Sequence, residues 1–181
     1  MFLTEEYLMK RIFGCSMVVM FLGIVPLLAQ SVEGNGHETG KSLNKNKKEV
    51  VMKGYVQDIE GIAIQNIDFR RVLYTTKQCQ LVVMALKPGE EIGAEVHKSD
   101  QFFRVEEGSG EAVIDGVRTP IRAGSAVVVP GGMKHNIIDT GSVPLKLYTI
   151  YAPPNHRDGV VHHTRKDAEA DDEHFDGKTT K

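Results

Sequence analysis

A chain of 181 residues suits one domain with terminal extras and is too short for two full domains. Hydrophobic residues at 41% and charged residues at 25% fall in the ordinary soluble range, so the chain can bury a real core. With 22 basic against 24 acidic residues and a net charge of −2, no large field of one sign exists, and nucleic acid is excluded as the expected partner.

The first segment reads as an export signal. Lys10 and Arg11 form a positive edge, an apolar run follows from Ile12 to Ala29, and the small residue Ala29 precedes Gln30-Ser31. This is the pattern of a signal peptide over residues 1–29, cleaved on export to the periplasm or the outside of the cell. The alternative is an uncleaved membrane anchor over residues 12–29, since a run of about 18 apolar residues can span a thin bilayer. That segment would then be the chain's only link to a membrane. Cleavage removes Cys15 and leaves Cys79, so no internal disulfide is expected. Cys79 adjoins the apolar run Leu81–Leu86, which predicts a packing role for it. Residues 30–49 hold Gly, Asn and Lys with few apolar side chains and are expected to form a flexible linker.

Residues 50–154 carry short strand-like runs. Phe69–Tyr74 is the first. Gln80–Leu86 is richly apolar and reads as a strand buried on both faces, broken by the turn residues Lys87-Pro88-Gly89-Glu90. Gln101–Val105 follows, with Phe102 and Phe103 on opposite faces. Glu111–Ile114 and Val117–Ile121 flank Asp115-Gly116, a two-residue hairpin turn. Ala126–Val129, His135–Asp139 and Leu145–Tyr151 complete the set. Strand signals recurring every eight to twelve residues or so, without helical periodicity, predict an all-β antiparallel sandwich or barrel. Residues 155–181 are polar, and a short helix capped by Thr164 is expected near Thr164–Ala170. The rest of this tail is expected to fray, with His156, His162, His163 and His174 exposed rather than forming a second metal site.

Two stretches concentrate ligand-type side chains. In Glu95-Val96-His97 the two polar residues stand one apart, so on a strand both face the same way. Gln101 opens the next strand and offers an amide oxygen. The Gly-rich turn Pro130-Gly131-Gly132 delivers His135 to the start of another strand.

The spacing of these residues resembles the cupin superfamily. Its first motif, glycine, five residues, His-x-His, three or four residues, Glu, six residues, glycine, is matched by Gly89, His97 and Gly108. Glu95 stands in place of the first histidine and Gln101 in place of the glutamate. Its second motif, glycine, five residues, Pro-x-Gly, two residues, His, three residues, Asn, is matched by Gly124, Pro130, Gly132 and His135, with Asp139 at the Asn position. The resemblance covers residues 65–152 and implies a single cupin β-barrel, a double-stranded β-helix of jelly-roll type, within residues 50–154. It implies a divalent metal held by Glu95, His97, Gln101 and His135. The one carboxylate has moved from position 101 to position 95, so the charge of the ligand set is kept. Two imidazoles and a carboxylate suit Mn, Fe, Ni, Co or Zn. Gln101 is the weakest of the four and could instead position a water or a guest.

Such a metal favours an oxygen-rich small molecule. The expected function is that of an isomerase, epimerase or lyase acting on a sugar-like molecule or a keto or hydroxy acid. The loose similarity to short cupins grouped with mannose-6-phosphate isomerase points the same way, by analogy only. Fe- or Ni-dependent dioxygenase chemistry and a non-catalytic sugar-binding module are the alternatives. No catalytic acid or base stands out: Tyr148 and Tyr151 are assigned to packing, and Lys134 to a solvated turn. Cupin barrels often pair through an outer sheet, so a homodimer is compatible with the resemblance.

Overall fold

The strand Gln80–Leu86 is buried along nearly its whole length, as its apolar run Leu81–Leu86 requires, and it lies inside the larger of two sheets. The computed structural model describes residues 53–181. The export signal of residues 1–29 and the linker of residues 30–49 lie outside the described residues.

The larger sheet joins six strands in the order β6 (Ala126–Val129), β3 (Asp100–Glu107), β8 (Leu145–Ala152), β2 (Gln80–Leu86), β1 (Arg70–Thr75) and β9 (Val161–His162). The smaller sheet is β5 (Val117–Arg122), β4 (Ser109–Ile114) and β7 (His135–Asp139). Every pairing is antiparallel. One apolar core lies between the sheets: Val82, Met84, Phe103, Val105 and Leu147 from the larger meet Ala112, Ile121 and Ile137 from the smaller. This is the jelly-roll arrangement of a cupin barrel. Phe103 is fully buried while Phe102 faces outward against Tyr148, with ring centroids 6.1 Å apart. The β4–β5 turn places Asp115 at φ 46° and Gly116 at φ 84°, the left-handed pair that a two-residue hairpin needs.

Three features differ from expectation. A helix, α1 (Ile59–Gln65), precedes the barrel, capped by Asp58, whose side chain accepts a hydrogen bond from the Gly61 amide at 3.1 Å. Cys79 is exposed rather than packed, because it sits in the β1–β2 turn, where Thr76 Oγ1 accepts from its amide at 2.9 Å. The C-terminal residues do not fray. They add β9 to the edge of the larger sheet, form the expected helix α2 (Arg165–Ala170) with a Thr164 capping box, and end with the Thr180 amide donating to the Thr75 carbonyl at 3.0 Å.

Histidines fasten that segment, which corrects the expectation of exposure for His156 and His162, while His163 and His174 are exposed as expected. His156 and His162 are buried. His156 Nδ1 donates to Glu173 at 2.6 Å, and His162 Nε2 lies 3.2 Å from Asp171. His163, though itself exposed, donates to the buried Asp68 at 2.6 Å. Among the described residues, no helix is long and apolar enough to cross a membrane.

Candidate metal centre

The four sequence-predicted residues meet at one end of the barrel. Residues 89–95 run alongside β7. The Ile92 amide bonds the Ile137 carbonyl at 3.0 Å, and Glu95 and His135 exchange both backbone hydrogen bonds at 2.9 and 3.0 Å. This bridge sets Glu95 beside His135. The turn after β6 then clamps the His97 segment. The Gly132 amide, with φ of 87°, donates to the His97 carbonyl at 2.8 Å, and the Gly131 amide donates to Asp100 Oδ1 at 2.8 Å. A side chain at position 131 would bring its Cβ to 2.3 Å from the Lys98 carbonyl oxygen. Gly131, between the Pro and Gly of the second motif, is therefore a spacer that lets two ligand-bearing segments approach, while Gly132 supplies the left-handed turn beside it. Gly131→Ala is expected to weaken metal affinity on the order of tenfold while touching no ligand, as a Co(II) titration would show.

Ligand-type atoms of Glu95, His97 and His135 all lie within 4.8 Å of one another. Gln101, 1% exposed in β3, adds its amide oxygen between the imidazoles, 2.8 Å from His97 Nε2 and 2.9 Å from His135 Nε2. The outer nitrogen of each ring is tied off. His97 Nδ1 donates to the Ser99 carbonyl at 2.9 Å, and His135 Nδ1 to the Met133 carbonyl at 3.1 Å. Those bonds fix both tautomers with Nε2 as a bare lone pair. Gln101 Nε2 donates to Thr149 Oγ1 at 3.0 Å, which turns the amide oxygen inward. Three lone pairs thus converge next to a carboxylate with no proton between them. A cation satisfies that arrangement, and the backbone carbonyls are the outer partners that metal-bound histidines use. Burial holds the His135 imidazole below its ordinary value, partly offset by the Met133 carbonyl, so the ring is kept in the neutral form a ligand must have.

Four further residues surround the ligands. Arg70 Nη2 donates to Glu95 Oε1 at 3.4 Å. Tyr151 is buried with its ring centroid 5.5 Å from that of His97. Burial first, then the Glu95 charge, push its phenol well above the ordinary range, so it stays protonated. His156 stacks edge-on against Tyr151 at 5.0 Å and is held by Glu173. The sequence carried a signal for Arg70. Strand alternation with the inward Val72 puts position 70 inside and Arg71 out, as observed. Tyr148, by contrast, faces away against Phe102. Lys134 is exposed, its amide bonding Asp115 at 3.1 Å.

Comparison with known proteins agrees with this architecture. Residues 82–151 match the cupin domain family. YrkC of Bacillus subtilis is 45% identical over 125 residues, spanning 65% of this chain and 67% of YrkC. Protein L612 of Acanthamoeba polyphaga mimivirus is 37% identical over 112 residues, 59% of this chain and 70% of its own length. The crystal structure of BH2720 from Bacillus halodurans superposes with a TM-score of 0.65 at 40% identity, covering 66% of this chain and 96% of that one. With the motif spacing, the paired sheets and the converging imidazoles, these similarities show that the chain belongs to the cupin superfamily.

Proposed function

We propose that this chain is a metal-dependent cupin that takes a small oxygen-rich molecule, sugar-like or a keto or hydroxy acid, and acts on it as an isomerase, epimerase or lyase. The observation that carries the reading is the convergence of His97 Nε2, His135 Nε2 and Gln101 Oε1 within 2.9 Å contacts, with both outer ring nitrogens bonded to backbone carbonyls. A divalent cation held there would supply Lewis acidity to a carbonyl or hydroxyl oxygen of the guest. The chain's own residues do the rest. The two imidazoles and Gln101 offer neutral donors, and Glu95 offers the one negative charge. Thr149 and the Ser99 and Met133 carbonyls hold those donors in place. Tyr151, kept protonated, walls the inner side without competing as an anion.

Protein purified without chelator is expected to contain about one equivalent of a divalent metal. Its melting temperature should rise when Mn, Fe, Ni, Co or Zn is added to the stripped form, because ligands that bind only the native state stabilise it. Elemental analysis finding no metal, together with an unmoved melting temperature for every ion, sinks the reading. Export through residues 1–29 belongs to the same proposal and would set the centre in the periplasm or outside the cell. N-terminal sequencing of exported protein tests it, and a chain still beginning at Met1 in a membrane fraction supports the anchor instead.

A further inference from the structure

Glu95 also faces a cleft of about 220 Å3, walled on one side by Phe69, Arg70 and Ile92 and on the other by Arg165 and Ala168 of α2. Arg70 is the unusual member. Its side chain is only 9% exposed and its guanidinium lies 5.7 Å from the Phe69 ring. Among the described residues it makes one side-chain hydrogen bond, the long 3.4 Å contact to Glu95, and its buried Nε–H has no partner among them. A guanidinium carries five donors and cannot shed its proton, so a buried one normally finds a carboxylate that matches its fork. Here the candidates are committed elsewhere. Glu95 is the charge expected to turn to the metal. Glu173 is close enough to feel Arg70, but its oxygens accept from His156 Nδ1 and the Arg157 amide, both at 2.6 Å. Across the cleft, Arg165 is bound to Glu169 at 2.7 Å and to Glu91 at 3.4 Å. The charged groups lining the cleft are thus Arg70 and Arg165 against Glu95 and Glu169. A divalent cation on Glu95 would tip that balance positive.

We propose that the guest of the metal centre is a short carboxylic acid bearing a hydroxyl or keto oxygen, whose carboxylate docks on Arg70 in this cleft, with Arg165 on the far wall. This rests on the metal reading and narrows it: among the guests above, it selects acids over neutral sugars. A neutral polyol would leave the guanidinium as under-partnered as it is now. A carboxylate supplies a bidentate acceptor beside Glu95, the candidate ligand that lines the cleft, and a cleft of this size suits a short acid.

Lactate and propane-1,2-diol test this, because they differ only by a carboxylate in place of a CH2OH group. Binding of each is measured by calorimetry to the full chain, Co(II)-loaded and metal-free. Lactate is expected to bind the loaded chain at least about tenfold more tightly than the diol. Arg70→Gln should erase that margin and Arg165→Gln should narrow it, with Co(II) stoichiometry unchanged in both. Equal binding of the two probes by the wild-type chain, or a margin that survives Arg70→Gln, overturns the subsite while leaving the metal reading intact. Absence of bound Co(II) in the wild-type chain is the separate failure of the metal reading. The metal-free titration then decides the subsite by the same margin and the same variants. Should Arg70→Gln not fold, Arg70→Lys keeps the charge and loses the fork, so it should narrow the margin, and an unchanged margin counts against the proposal.

Discussion

His135→Ala is expected to abolish stoichiometric metal binding, lowering affinity by more than about 100-fold, because changes in outer-shell partners alone cost about 10–100-fold. His135 is 2% exposed, sits at the start of β7 and presents a neutral Nε2 whose tautomer is fixed by the Met133 carbonyl. Gln101→Ala should cost less, on the order of tenfold, since an amide oxygen is a weak neutral donor and water can take its place. A Co(II) titration of the two variants reads the difference. Equal losses would make Gln101 a full ligand rather than an auxiliary one, and an unaffected His135→Ala would remove the centre altogether.

Glu173→Ala is expected to destabilise the fold by about 3 kcal/mol, lowering the melting temperature by roughly 10 °C, although residue 173 lies outside the matched motifs. The carboxylate is 8% exposed and accepts two hydrogen bonds at 2.6 Å, from His156 and from the Arg157 amide. Removing it takes the acceptor from the buried His156 donor and the part-buried Arg157 amide, and among the described residues the buried His156 Nε2 atom already has no partner. The pH dependence follows from the same pair. Burial, partly opposed by the Glu173 hydrogen bond, holds the His156 imidazole below its ordinary 6.5. Burial would raise the Glu173 carboxyl, but the His156 and Arg157 hydrogen bonds outweigh it and hold the group below its ordinary 4.5. In both cases the unfolded chain binds more protons than the folded one as pH falls. Stability is therefore full above about pH 6.5, begins to fall as unfolded His156 takes up its proton, and falls further below about 4.5. In Glu173→Ala the lower part of that decline should flatten. A melting profile measured against pH that shows the same acid slope in both proteins would contradict this assignment.

The parts of the fold written in local pattern were legible. Gln80–Leu86 falls where the apolar run Leu81–Leu86 places it, because a strand buried on both faces needs little beyond side-chain type to declare itself, while Ala126–Val129 and His135–Asp139 fall within their expected bounds but bury only alternate residues. The four candidate ligands were legible because motif spacing and glycine-set turns mark them, although Glu95 and His97 lie outside the strands rather than alternating on one, with Glu95 in an isolated bridge to His135. Helix α1 was not, since a seven-residue helix is too short to show a periodicity and depends on its cap and its packing. The C-terminal segment was misread for a related reason. Its polar composition looks solvated, yet Glu173, His156 and His162 are buried through pairings formed only in the folded chain. No spacing rule announces that His156 will meet a carboxylate seventeen residues on. Arg70 sits between these cases. Alternation with Val72 places it inside, while its hydrogen bond to Glu95, twenty-five residues away, is set by the barrel alone.

The most direct test of the account is anomalous diffraction from Co(II)-soaked crystals of the full chain, recorded on both sides of the cobalt absorption edge. A single strong peak within bonding distance of Glu95, His97 and His135, with Gln101 beside it, is the predicted result. A peak on the C-terminal histidines instead, or no peak near the two imidazoles at full soak, would contradict it.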